Sequence, residues 1–164
     1  MRYADDFVVL CKSRERAEEA RTFVDQRISE LGLQLSPEKT KVTRFMDGFQ
    51  FLGFEITHRA RRMRPKSVEK FKDRMRELTI RSHNLDAAAV TKINSVIRGV
   101  ARYFATPFST ITKQFKNLDT WLRSRLRSMK FKRKSRKDNF RLLIKHLQRL
   151  GMIWLSDFVP DPGG

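Results

Sequence analysis

Two adjacent carboxylates near the start of the chain are the residues best suited to chemistry. Asp5 and Asp6 follow Tyr3 and Ala4 and precede an apolar run, which is the pattern of a hairpin turn leading into a strand. Carboxylate oxygens are ligands that Mg²⁺ prefers, and two Mg²⁺ ions about 4 Å apart can activate both oxygens of a phosphoryl transfer. The pair therefore predicts a metal site for phosphoryl transfer. An ordinary turn is the alternative, because turns favour Asp for conformational reasons.

The first sixty residues have the patterns of short strands and one helix. A strand over residues 7–11 would pair with a partner shorter than the usual five or six residues. A helix is predicted from Ser13, its expected N-cap, to Gly32, its expected stop. A turn and a short strand follow. Asp47-Gly48 then predicts a hairpin turn that leads into a strand over residues 49–57.

From residue 61 onward the apolar residues recur at helical spacing. Four amphipathic helices are predicted, with Asp86 as the N-cap of the second and Asp138 as the N-cap of the fourth. Gly151 is the expected stop of the last. Four such helices with short connections predict a helical bundle.

The positive charge of the chain is confined to its second part. Residues 1–60 contain 10 Lys or Arg and 10 Asp or Glu, whereas residues 61–164 contain 26 and 8, which leaves the whole net charge of +18 there. Nine of the sixteen residues from 122 to 137 are Lys or Arg, and no acidic residue lies between Asp119 and Asp138. This favours contact with a polyanion, most commonly a nucleic acid. A solvated basic face is the alternative.

Composition excludes several classes of protein. The single cysteine, Cys11, excludes an internal disulfide and a Cys-rich zinc site. His58, His83 and His146 have no Cys or acidic neighbours at metal-ligand spacing. No apolar run approaches the roughly 20 residues that a membrane span needs. We therefore expect a cytoplasmic protein without a membrane partner.

Several motifs resemble the reverse transcriptases encoded by group II introns. RYADDFVVL at residues 2–10 resembles their catalytic hairpin, LGLQLSPEKT at 31–40 the palm motif that follows, and FLGF at 51–54 the motif that contacts the primer. IRGVARYF at 97–104 and LDTWLRSRL at 118–126 resemble the intron maturase domain, often called domain X. Because the three palm motifs occur in the family's order, together they are more specific than any one alone.

The resemblance implies roles for individual residues of the first part. Asp5 would ligate catalytic Mg²⁺, and Asp6 would belong to the same acidic cluster. The residues expected to contact the primer, the template or the incoming nucleotide are Tyr3, Ala4, Lys39, Lys41, Phe51, Leu52 and Gly53. Solvated lysines and a buried strand are the structural alternatives for the last five.

The resemblance also implies that the second part binds RNA resembling a group II intron. The cations expected to contact RNA are Arg98, Arg102, Arg123, Arg127, Lys130 and Lys134. The last four fall at i, i+4, i+7 and i+11, which predicts one helix face opposite the apolar one.

A palm of this family needs a further Asp from an earlier strand, together with the fingers. The sequence begins two residues before Tyr3, and neither Asp25, on the predicted helix, nor Asp47, in a turn, can replace that Asp. We therefore expect the chain alone to be inactive as a polymerase. A separate N-terminal reverse transcriptase piece is the partner that would complete it.

The expected fold class is α+β. Residues 1–60 would form part of a polymerase palm from antiparallel hairpins and a helix, residues 61–158 an all-α thumb or maturase bundle, and residues 159–164 a disordered tail. Three functions stay open: a fragment of an RNA-directed DNA polymerase with its maturase domain, an RNA-binding splicing module without polymerase activity, or a generic basic helical protein. The ordered palm motifs disfavour the third.

Overall fold

The computed structural model of this chain describes residues 2–3 and 6–160, with only the backbone of residues 2 and 3. Contacts divide the chain into two compact units. The first unit comprises Met1–Leu52 and Ile56–Arg59, and the second unit comprises Gly53–Glu55 and Ala60–Gly164.

The first unit begins with a short antiparallel pair and a long helix. β1 (Arg2–Tyr3) pairs with β2 (Asp6–Phe7), and α1 spans Arg14–Glu30. The side chain of Ser13 accepts one of the free amides in the first turn of α1, that of Arg16, at 3.3 Å. At the other end Gly32 has a φ of +70°, which lets the chain reverse out of the helix. The predicted cap and the predicted stop are both confirmed.

Residues 49–57, predicted to form one strand, form a hairpin instead. β3 (Phe49–Phe51) and β4 (Phe54–Ile56) are joined by Leu52 and Gly53, whose φ angles are 47° and 81°. A two-residue turn with both φ angles positive matches the twist of paired strands. The residue pattern alone did not predict this turn, because leucine rarely adopts a positive φ. The family resemblance, which implies a primer-contact hairpin at residues 51–53, agrees with it. The short strand predicted before residue 47 is also wrong, since residues 33–48 form turns and irregular chain.

A third strand, β5 (Arg61–Met63), completes a sheet of order β3-β4-β5. It lies where the sequence predicted the helical part to begin. Side chains close its outer edge: Gln114 donates Nε2 to the Met63 carbonyl and accepts the Met63 amide, both at 3.0 Å. Thr110 does the same for Arg61, donating its amide and accepting at Oγ1, both at 2.9 Å.

Three of the four predicted helices are confirmed: α2 (Pro65–Leu78), α3 (Ala87–Phe104) and α4 (Thr112–Phe131). Asp86 caps α3 as predicted, accepting the Ala89 amide at 2.8 Å. These helices contribute most of the twenty buried hydrophobic residues of the described chain, all of which lie at or beyond residue 63.

The fourth predicted helix is wrong in form. The chain makes two short helices, α5 (Asp138–Arg141) and α6 (Ile144–Arg149), and then a 3₁₀ helix (Leu155–Phe158). Asp138 does not cap α5 with its side chain. The carboxylate is buried and pairs with Arg133 at 3.1 Å, because burying it requires an opposite charge.

The α+β fold class is confirmed, with small sheets and one helix followed by a helical bundle. Within the predicted tail, Val159 packs against the core, and residues 161–164 lie outside the described residues. No helix in the described part of the chain is both long and apolar enough to cross a lipid bilayer.

Candidate nucleic-acid interface

The β1–β2 pair positions Asp6, the one residue of the acidic pair that the structure describes. Tyr3 lies opposite Asp6 in an antiparallel register, and the Asp6 side chain is exposed. Ala4 and Asp5, between them in sequence, lie outside the described residues. Carboxylate oxygens are hard donors that suit Mg²⁺, so the donor types of Asp5 and Asp6 fit that metal. Among residues 2–3 and 6–160, no three His, Cys, Asp or Glu side chains lie together as metal ligands would.

The lysines expected near the nucleotide lie in irregular chain of the first unit. The amides of Lys39 and Thr40 both bond to the carbonyl of Ser36, at 3.1 and 2.9 Å, and form a tight turn. Lys39 and Lys41 are exposed, and neither makes an ion pair with a residue that the structure describes. Both ammonium groups are therefore free to meet a phosphate.

Gly53, expected to contact the primer, is anchored to the helices of the second unit. Its carbonyl accepts the Arg64 amide at 2.9 Å and the Ser67 hydroxyl at 3.0 Å, at the start of α2. A Cβ on Gly53 would lie 3.2 Å from Ser67 Oγ and 3.4 Å from Phe104 Cζ. With a φ of +81°, this position therefore favours glycine on both conformational and steric grounds.

The residue after that glycine packs on α3. The ring of Phe54 lies 4.8 Å from that of Phe104, edge to face, and 5.8 Å from that of Tyr103, stacked. Phe51 and Leu52, the other residues expected at the primer, are half-buried. The structural alternative for this motif holds in part, because Phe54 does contribute to packing.

Two expected RNA contacts, Arg98 and Arg102, lie one turn apart on α3. Both are exposed, and neither pairs with an acidic residue in the described part of the chain. Residues four apart lie on the same helix face, so the two guanidinium groups present charge to solvent on one side.

The four cations predicted to form one face of a helix do not all do so. α4 ends at Phe131, and Lys132 adopts a left-handed φ of 57° that turns the chain away. Lys134 therefore lies outside the helix, and the predicted stripe is wrong at this position. Lys130 is exposed in the last turn of α4, where its positive charge interacts favourably with the helix dipole.

The other two cations of that stripe have partners within the chain. Arg127 donates from Nε to the Leu142 carbonyl at 3.0 Å and from Nη1 to Asn139 Oδ1 at 2.8 Å. Burial lowers the pKa of the Arg127 guanidinium, and the nearby charge of Arg123 lowers it further. Arg123 donates to Thr120 Oγ1 at 2.7 Å, and its guanidinium carbon lies 5.3 Å from the ring centre of Trp154.

Two more basic residues of this segment bond to the C-cap of α2 and to the loop that follows it, which the sequence did not reveal. Arg125 donates from Nε to Thr79 Oγ1 at 3.1 Å and from Nη2 to the Thr79 carbonyl at 2.9 Å. Lys132 donates to the carbonyl of His83. Because their acceptors are neutral, the lack of acidic residues in this stretch of sequence gave no indication of these contacts.

Two buried polar residues that the sequence analysis missed fix the C-terminal segment. Asp119 accepts the amides of Leu155 and Ser156 at 2.9 and 3.0 Å, at the start of the 3₁₀ helix. Asn94 donates to the Gly151 carbonyl at 2.7 Å and accepts the Ile153 amide at 3.2 Å. The available signal was a polar residue directly beside the apolar stripe of a helix.

Comparison with protein families agrees with this arrangement. A family model described as reverse transcriptase (RNA-dependent DNA polymerase) matches residues 1–56, from β1 through β4. The first part of the chain is thus similar to reverse transcriptases.

A second model, the group II intron maturase-specific domain, matches residues 68–151, just over half of the chain. The chain belongs to the group II intron reverse transcriptase and maturase family, which confirms the resemblance of its motifs. Proteins with these domains bind RNA, and reverse transcriptases generally use Mg²⁺. A search of curated proteins found no match to this chain.

Proposed function

We propose that this chain supplies the acidic hairpin and the RNA-binding thumb of an RNA-directed DNA polymerase that copies group II intron-like RNA. Asp5, with Asp6 beside it, would hold the catalytic Mg²⁺. A separate fingers-and-palm piece would supply the further Asp and so complete the two-metal site. When bound, the metals would activate the primer hydroxyl and stabilise the leaving oxygen.

The observation that carries the proposal is the anchoring of the primer-contact turn. Gly53 belongs to the same compact unit as α2 and α3, and its carbonyl is held by Arg64 and Ser67. A polymerase gains rate by holding the primer end in a fixed geometry, and a turn bonded to a packed bundle provides that rigidity. The helical unit that would bind the RNA therefore also fixes the turn that would hold the primer.

In this proposal the remaining palm residues bind rather than react. Tyr3 and Ala4 would form the floor beneath the primer end and the incoming nucleotide of a primer–template duplex. Lys39 or Lys41 lies near the triphosphate, where an exposed ammonium group offsets negative charge. Phe51 and Leu52 contribute with Gly53 to the primer contact.

The RNA-binding role falls chiefly on the cations without internal partners. Arg98, Arg102, Lys130 and Lys134 are exposed and have no ion pair within the described residues. Arg123 can contribute from its place over Trp154. Arg127 acts differently, because its guanidinium is already used to position α5. Phosphate contacts of this kind give affinity with steep salt dependence and little sequence preference.

Reconstitution tests the polymerase role. The chain is mixed with an N-terminal fingers-and-palm piece of a group II intron reverse transcriptase, and extension of oligo(dT) on poly(rA) is followed with Mg²⁺. We expect extension from the mixture and none from the chain alone. Asp5→Asn should abolish it by removing the metal ligand's charge, whereas Asp25→Asn, an exposed carboxylate on α1, should leave it unchanged. Full activity of the Asp5→Asn mixture would contradict the proposal.

An RNA-binding splicing module without polymerase activity is the second candidate. The observation that favours it is the distribution of the core, since the maturase match coincides with the well-packed helices. Under this alternative the reconstituted mixture fails to extend the primer, while the chain alone still binds structured intron RNA. The same experiment therefore separates the two functions.

A further inference from the structure

Phe140 is the most exposed large hydrophobic residue in the described part of the chain, with 83% of its surface open to solvent. It lies on α5, within the basic segment that follows α4. The spacing of Phe140, Leu143, Ile144 and Leu147 predicts a fourth helix with this ring on its apolar face. It faces solvent instead, and water solvates such a ring poorly.

The exposure of Phe140 is imposed by a segment that is fixed on both sides of it. On one side the buried carboxylate of Asp138 pairs with Arg133 at 3.1 Å. On the other, the Leu142 carbonyl accepts from Arg127, whose guanidinium also reaches Asn139, and the Leu142 side chain is buried. With Asp138, Asn139 and Leu142 held by the protein, Phe140 projects outward from this turn.

The exposed charge that flanks this ring in sequence has one sign. Between Asp119 and Asp157 the sequence contains a single acidic residue, Asp138, and its charge is buried and paired. Arg136, Lys137 and Lys145 flank Phe140 in sequence and are exposed, and none of them pairs with an acidic residue that the structure describes. An exposed aromatic ring among unpaired cations is the combination with which proteins bind single-stranded nucleic acid.

We propose that Phe140 stacks on an unpaired base of the bound RNA, while the cations beside it contact the flanking phosphates. The α5 segment would then bind a single-stranded part of the RNA, because bases within a duplex are already stacked on one another. This inference rests on the proposed RNA binding and adds to it a preference for unpaired nucleotides.

The test compares two oligomers of equal length and charge: a short oligoadenylate and its abasic ribose-phosphate counterpart. In the full chain, Phe140→Ala should weaken binding of the oligoadenylate by about 5- to 150-fold, as expected for the loss of one base–aromatic stack. Binding of the abasic oligomer should not change. The dependence of oligoadenylate affinity on salt should also keep its slope, since no phosphate contact is lost.

Two further variants distinguish base stacking from nonspecific hydrophobic contact. Phe140→Trp should retain or increase oligoadenylate affinity, whereas Phe140→Leu should lose most of it while keeping an apolar side chain. Phe23→Ala removes an exposed ring from α1, in the charge-balanced first part of the chain, and serves as the matched control with no effect expected. Circular dichroism of each variant checks that the fold is intact.

Several outcomes would overturn the inference. Unchanged oligoadenylate binding by Phe140→Ala, or an equal loss on both oligomers, would remove the stacking role and leave the phosphate-binding function standing. A change in oligomeric state on Phe140→Ala, seen by sedimentation, would mean that this ring contacts a second copy of the chain instead. Failure of the unmodified chain to bind either oligomer would overturn the proposed RNA-binding function itself.

Discussion

The two units of this chain differ sharply in how they bury apolar residues. All twenty buried hydrophobic residues of the described chain lie at or beyond residue 63, whereas none of residues 6–59 is buried. Part of the difference already lies in the sequence, because α1 is only weakly amphipathic, whereas α3 and α4 each have a pronounced apolar face. Periodicity shows which face a helix would bury, but burial also requires an element packed against that face.

The comparison is also one of charge. The first sixty residues are neutral overall and resemble a catalytic palm, while the remainder has the entire excess of +18 and matches the maturase domain. The well-packed part is therefore the part that would hold RNA. The part with the catalytic motif leaves apolar side chains exposed to solvent. Among them are Phe23 of α1 and Leu31, the C-cap of that helix.

Limited proteolysis should give the largest contrast between the units. Regions with few buried apolar contacts open at lower free energy and are cut first. We expect trypsin to degrade the first unit rapidly and to leave a resistant core beginning near the start of β5, identified by mass spectrometry. A resistant core that retains residues 6–52 and loses the helices would reverse the comparison.

Changing an apolar residue to alanine should lower the free energy of unfolding much more in the second unit than in the first. Leu122 is fully buried on α4, so Leu122→Ala should lower the free energy of unfolding by about 2–5 kcal/mol. Phe23 is 57% exposed on α1, so Phe23→Ala should lower the free energy of unfolding by less than about 0.5 kcal/mol. Both tryptophans, Trp121 and Trp154, lie in the second unit, so their fluorescence in urea reports its unfolding. Equal costs for the two substitutions would contradict the contrast.

The buried carboxylate of Asp119 gives a smaller but specific effect. Asp119→Asn keeps the shape but turns a donor toward one of the two amides that the carboxylate now accepts. We expect a loss of about 1.5–3 kcal/mol in the free energy of unfolding, as for a charge-assisted hydrogen bond. Asp25→Asn on α1, exposed in the first unit, is the control with no measurable change. A stability loss as large for Asp25→Asn would show that charge alone, rather than the buried contact, matters.

Among the basic residues of α4, substitutions should distinguish a structural role from a role in RNA binding. Arg127→Gln removes the donors to Leu142 and Asn139 and should lower stability by about 1–2 kcal/mol. Lys130→Gln should leave stability unchanged, weaken RNA binding modestly and flatten the salt slope by roughly 0.7–0.9 for one phosphate contact. Urea unfolding and filter binding across salt measure the two effects. If Arg127→Gln altered only RNA affinity, the proposed role of Arg127 in positioning α5 would be wrong.

Local signals predicted the parts of the fold that depend on neighbouring residues. α2, α3 and α4 follow from apolar spacing, and the caps at Ser13 and Asp86 follow from side-chain chemistry. β5 was missed because its outer edge is bonded to Thr110 and Gln114, about fifty residues along the chain. No window of local sequence contains that information.

The interface was predicted by motif more than by physics. The palm and maturase matches agree with the quoted motifs, whereas the face assigned to four cations failed at Lys134, beyond the end of α4. Arg125 and Lys132 were hidden because their acceptors are backbone and hydroxyl oxygens brought together only by the fold. Charge counts identify acids that balance a cation, but they do not identify carbonyls.

The amide of Gln114 has a consequence for how this sheet can be extended. By bonding to both backbone groups of Met63, it stands in for a neighbouring strand along β5, while Thr110 does the same for Arg61. An edge occupied in this way offers no template to another chain, which discourages edge-to-edge aggregation. In the order β3-β4-β5, a strand from another polypeptide must then add beside β3. Gln114 and Thr110 thus restrict the addition of a further strand to one edge of this three-stranded sheet.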